Sequence, residues 1–201
     1  MHTPIKYLAA ALSVLALNAC ATEQKAQPGV NVAASEQEGK DRVERSKVVT
    51  VTAVVENVDQ AKRLVTLRGP EGNLNTIHVG PEVKNLPQIH KGDEVNVAYY
   101  ESVAIQIRQP GTAKVGDAVM AEGVETAALG AKPGATGARA LTVITKVKGI
   151  DKPNGTITLI GSQGEAQTVK VQNPANLDKV KVGDLLEITY TEAVAISVDK
   201  P

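Results

Sequence analysis

Phenylalanine and tryptophan are absent from this chain of 201 residues, and tyrosine occurs four times, at Tyr7, Tyr99, Tyr100 and Tyr190. A core without large rings has to be assembled from Val, Ile, Leu and Ala, and β-branched side chains fit best on a pleated strand. The same shortage removes the stacking platform on which single-stranded nucleic acids are held. An excess of one charge is lacking too. The 22 Lys+Arg balance 22 Asp+Glu, for a formal net charge of +0, so there is no basic surplus to meet a phosphate backbone. With one cysteine no internal disulfide can form. Neither G-x-S-x-G, H-E-x-x-H nor a P-loop occurs. The expectation is a protein that is not an enzyme, with no catalytic residues, no cofactor and no nucleic-acid partner.

The N-terminus carries the strongest positive signal. Residues 1–7 contain one cation, Lys6, and an apolar run follows from Leu8 to Leu17, broken only by Ser13. A short cationic region followed by a short apolar one is the pattern of an export signal. The run is well below the ~20 residues that a bilayer-spanning helix needs. Leu17-Asn18-Ala19-Cys20 then resembles the bacterial lipobox, with an aliphatic residue three before the cut, a small residue just before it, and the cysteine after it. Asn18 departs from the usual small or β-branched choice. The resemblance implies that residues 1–19 are a lipoprotein signal peptide and that the Cys20 thiol is lipidated. In Gram-negative lipoproteins an Asp after the cysteine retains the protein at the inner membrane; Ala21 stands there instead. The expected location is the cell envelope, anchored by lipid to the outer membrane on its periplasmic side.

Residues 20–47 are polar and poor in large apolar side chains, and are expected to form a flexible tether after the lipidated cysteine. The remainder contains an internal repeat. Leu64-Val65-Thr66-Leu67-Arg68-Gly69 matches Thr156-Ile157-Thr158-Leu159-Ile160-Gly161, and Glu101-Ser102-Val103-Ala104-Ile105 matches Glu192-Ala193-Val194-Ala195-Ile196. Between them Gly92-Asp93 matches Gly183-Asp184, with one residue lost in the second copy near Asn85/Asn176. Repeat 1 covers 48–108 and repeat 2 covers 140–201. Alternation at Val49, Val51, Ala53 and Val55 and at Val95, Val97 and Tyr99 predicts strands with one face covered. Gly-Pro, Gly-Asp and Asn154-Gly155 supply the breaks. Three strands, a short irregular or helical piece around Val83–Ile89, then two further strands or one long bent strand fit a five-stranded OB-like barrel. The predicted fold is all-β, with two such barrels in tandem. Residues 109–139, rich in Gly, Ala and Pro, link them. Within the linker Asp117 to Leu129 reads either as a short helix capped by Asp117 or as plain flexible chain.

The repeat pattern, along nearly all of 48–200, resembles a set of uncharacterised exported bacterial proteins with two such β modules, a resemblance that implies no activity. Val54-Val55-Glu56-Asn57-Val58-Asp59, Arg63-Leu64-Val65-Thr66-Leu67 and Gly92-Asp93-Glu94-Val95 also resemble the periplasmic copper/silver-binding chaperone of metal-efflux systems. That resemblance implies the fold and no metal site, because its His, Met and Trp ligand set does not carry over. Only Met1 and Met120 are present, and His78 and His90 are replaced by Lys170 and Lys181 in the second copy. Asp93 and Asp184 follow a turn glycine and read as turn residues. Glu101 and Glu192 recur at a bend and would form a shared site only if the repeats face each other. The expected role is a non-catalytic binding or structural module for an envelope protein or glycan. The alternative is a carrier of a metal or small ligand, which would need a pocket with converging polar groups. Tyr99 and Tyr190, at matching positions, are expected in the core. Tyr100, matched by Thr191, points the other way and is the candidate partner contact.

Overall fold

The computed structural model describes residues 29–81 and 83–200, and apart from two short 3-10 helices its regular elements are strands. In chain order these are β1 (Gly29–Glu38), β2 (Arg42–Asp59), β3 (Leu64–Arg68), β4 (Leu74–His78), β5 (Glu94–Arg108), β6 (Ala118–Thr126), β7 (Gly134–Asp151), β8 (Thr156–Ile160), β9 (Ala166–Lys170) and β10 (Leu185–Asp199). Single 3-10 turns at Leu86–Gln88 and Pro174–Asp178 precede β5 and β10. The molecule is all-β, as its β-branched composition predicts.

The strands do not close into two barrels. They form one open antiparallel sheet in the order β4-β3-β2-β5-β10-β7-β8-β9, with β1 added to β2 and β6 added to β7. The physical reason lies in β5 and β10. Each is a single strand of 15 residues rather than two short ones, and they pair with each other along their whole length, from Leu185 opposite Arg108 to Asp199 opposite Glu94. The edge that would have closed each barrel is spent on the other half. Strands β6–β10 otherwise repeat the pairing pattern of β1–β5, down to a bulge between Val55 and Asn57 in β2 and between Val147 and Gly149 in β7.

Two further expectations are corrected. Residues 29–47, read as tether, form β1 and the start of β2. Nearly all β1 side chains are exposed, so backbone pairing with β2 orders it, helped by cross-strand contacts such as Ser35 with Ser46 and Glu36 with Arg45. The Asp117–Leu129 segment is not a helix. It holds β6, paired with β7 from Ala118 opposite Val143 to Thr126 opposite Ala135. Asp117 caps a turn instead, its carboxylate accepting the Lys114 amide. Gly123 and the β-branched Val119 and Val124 weaken a helix there, and β7 offers a long edge to pair with.

Alternation along the paired strands puts odd-numbered residues of β2, β5 and β7 and even-numbered residues of β1, β6 and β10 on one face. The short strands and turns cover the two ends of that face. At one end Val55, Val65, Leu86, Ile89, Val95 and Val198 form a buried cluster; at the other Val147, Ile157, Leu177 and Leu186 do. Each end is held by the opposite half. Glu38, at the end of β1, accepts hydrogen bonds from Asn173, Asn176 and Lys179. Reciprocally, Asn85 donates to the Ala128 carbonyl and accepts from the Gly130 amide, both in the turn before β7.

Candidate functional site

The middle of the shared face is crossed by a charged row. Lys47, Glu101, Glu192 and Arg139 are consecutive Cα partners on β2, β5, β10 and β7. Glu101 and Glu192, the acids that recur in the repeats, therefore stand directly opposite each other, at the centre of the β5–β10 pair. Like charges so placed repel, and the structure relieves this mainly at Glu192. The Tyr190 hydroxyl donates to Glu192 Oε1 at 2.6 Å and the Tyr99 hydroxyl donates to the same oxygen at 3.2 Å, while Arg139 donates to Oε2. The Tyr190 bond, then Arg139, hold the Glu192 carboxyl below its ordinary value. The same bond to Glu192 raises the Tyr190 hydroxyl well above its own, and Glu192 raises Arg139. At neutral pH the group is a carboxylate flanked by protonated donors.

Beside this row lies an open groove of about 1070 Å³. Its floor is apolar, with Val103, Ile105 and Ile107 from β5, Leu186 and Ile188 from β10 and Val143 from β7. Leu159 and Val169 of the β8–β9 hairpin and Leu177 of the second 3-10 turn form its wall. Several floor residues remain open to solvent: Val103 is 41% exposed and Ile105 36%. Polar groups collect at the β2 end, where Arg42, Arg45, Lys47, Lys170 and Lys179 face only Asp41 and Glu101 among the lining acids, Glu165 lying in the β8–β9 loop. Gly116 fits against Ser162 at the β6 end, where an added Cβ would meet the Ser162 Cβ at 2.1 Å.

The residues singled out from the sequence fall as follows. Cys20 and the lipobox lie outside the described residues. Tyr100 is half-buried on the opposite face, across from Val48 and Ala193. Tyr190, expected in the core, is 37% exposed beside the groove. Asp93 and Asp184 each accept the amide three residues back, from His90 and Lys181, which is a turn role. His78 and His90 are both exposed, on β4 and in the turn before β5. Among the described residues no group of three or more His, Cys, Asp or Glu is placed to hold a metal ion. Met120 stands exposed on β6.

Sequence reasoning missed Arg45, Lys47 and Arg139. The signal that finds them is the meeting of the repeat offset with antiparallel pairing: only at Glu101/Glu192 do the two repeats place matching residues opposite one another, and their strand neighbours then follow. No family model, no curated protein and no solved structure matches this chain.

Proposed function

We propose that the chain is a lipid-anchored protein of the bacterial cell envelope, built by duplication of one β unit, that binds a ligand in the groove between β5, β10, β7 and the β8–β9 hairpin and catalyses no reaction. The single observation that carries the binding reading is the groove itself: an apolar floor, walled by the β8–β9 hairpin, in which Val103 is 41% and Ile105 36% exposed. Solvent-exposed apolar surface of this kind costs free energy unless it is used. The envelope location rests on the Cys20 lipobox alone. Absence of an acid–base pair in the charged row supports binding over catalysis.

The test compares what co-purifies with the full chain and with Ile105→Trp, which fills the groove. Extraction and mass spectrometry are expected to find a molecule carried by the wild type and depleted from the variant; identical contents would sink the binding reading. The anchor is tested separately with labelled palmitate, which is expected to enter the wild type and not Cys20→Ser. Label in both chains would remove Cys20 as the lipidation site.

A further inference from the structure

We infer that the groove takes a long-chain anionic amphiphile, a single alkyl chain ending in a carboxylate, with the headgroup at the β2 end. This deepens the binding reading above and rests on it. Three observations converge.

First, the groove is polarised. Its apolar floor extends across β5, β10 and β7, whereas five of its lining cations, Arg42, Arg45, Lys47, Lys170 and Lys179, gather on β2 and on the segment from β9 through the second 3-10 turn that packs against it. Second, the cations are not equally occupied. Arg42 pairs with Glu44, Arg45 with Glu36 and Lys179 with Glu38. Lys47 is exposed, stands in the charged row opposite Glu101, and enters no ion pair among the described residues. Arg45 lies two residues from it on the same strand face, so the two ammonium and guanidinium groups frame one end of the apolar floor. Third, the floor is long enough. From β2 to β6 there are four strand spacings, ~19 Å in all at ~4.8 Å each, the reach of an extended long-chain acyl group.

A second copy of this chain fits less well. Laid on this face about its centre, it would bring Glu101 and Glu192 against their own counterparts and bury four carboxylates together. A cationic amphiphile would place its head among the lysines and arginines. The anionic head alone is attracted at the polar end while its tail covers Val103, Ile105 and Ile188.

The experiment is photo-crosslinking of the full chain in lipid discs with three probes of equal chain length, each carrying a diazirine in the tail: a carboxylate, a trimethylammonium and an alcohol. Peptide mapping is expected to place the carboxylate probe on residues of the floor, at least about tenfold more than the trimethylammonium probe. Lys47→Glu is expected to abolish that preference, and Ile105→Trp to abolish labelling by all three. Since Lys47 is exposed and Ile105 partly so, neither change removes a core side chain, and circular dichroism of each variant confirms the sheet. Equal labelling by the three probes would overturn the anionic ligand while leaving an apolar binding groove. No labelling of the floor by any probe would overturn both this inference and the binding reading beneath it.

Discussion

The two halves of the sheet have the same strands in the same order, and Val103 and Ile105, 41% and 36% exposed, match Val194 and Ile196 at 38% and 39%, yet the outer ends of the face differ at two core positions. At the end beside β3 and β4 Ile89 and Val198 are 6% exposed and belong to the buried cluster. Their counterparts by repeat offset, Val180 and Ile107, are half-buried and line the groove. The polar connections differ in the same sense. Asn85 is 3% exposed and uses both ends of its amide, whereas the matching Asn176 donates to Glu38 but leaves its buried Oδ1 without a partner. Asp93 receives Lys200 Nζ at 3.0 Å in addition to its turn amide. Asp184 has the turn amide at 2.8 Å. Both ends have a buried cluster, but the one beside the groove is less closed at two positions and keeps a buried acceptor unpartnered among the described residues.

The largest effect is expected from separating the halves. A chain ending at Arg108 loses the whole β10 partner of β5 and the turn that holds Asn85. It is expected to show no cooperative unfolding transition by circular dichroism. A cooperative transition from that fragment would show that the first half completes its own core and that the pairing with β10 is dispensable.

Next in size is the asparagine pair. Asn85→Ala removes a buried side chain and its bonds to the Ala128 carbonyl and the Gly130 amide, and should cost about 2 kcal/mol in urea unfolding. Asn176→Ala removes an acceptor that is already unsatisfied, so its cost should be about 1 kcal/mol or less. Equal costs at the two sites would break the contrast between the two ends.

The tight turns after β2 and β7 offer a smaller test. Arg63 and Gly155 occupy matching positions, both with positive φ, at 53° and 62°. Arginine is tolerated there because its guanidinium donates to the carbonyls of Val79 and Val83, at 2.8 Å each. Arg63→Ala keeps the left-handed strain and loses the bonds, and should cost about 2 kcal/mol. Arg63→Gly loses the bonds but relieves the strain, and should cost about half as much, near 1 kcal/mol. The reverse order in thermal unfolding would mean that the left-handed conformation carries no strain at this position.

The smallest effect concerns pH. Glu192 is held below its ordinary value by Tyr190 and Arg139, so the carboxylate is favoured by the folded state. Its contribution is present above the unfolded value near 4.5 and is lost as pH falls through the lower folded value. Wild type is therefore expected to lose more stability than Glu192→Gln on acidification below about pH 4.5. Parallel acid profiles would show that the central cluster is neutral to folding.

Much of the fold was legible because it rests on local rules. Alternating Val, Ile and Leu identified the strands of both repeats, Asn154-Gly155 marked a turn, and Gly92-Asp93 and Gly183-Asp184 marked two more. Strands β1 and β6 were illegible because their side chains bury almost nothing; only the edges offered by β2 and β7 make them strands. The candidate site was legible in one respect, the recurrence of Glu101 and Glu192. That they face each other, and that Lys47, Arg139 and Tyr190 join them, depends on the pairing registers of strands distant from one another in the chain.

By itself the sequence determined the all-β class and the turn roles of Asp93 and Asp184, because each follows from residue type at short spacing. Tertiary structure alone decided that β5 and β10 pair with each other instead of closing two barrels, and that the β8–β9 hairpin walls a groove on their shared face. Alternation along a strand is the same in a closed barrel and in an open sheet. Which one forms depends on contacts each half makes only with the other.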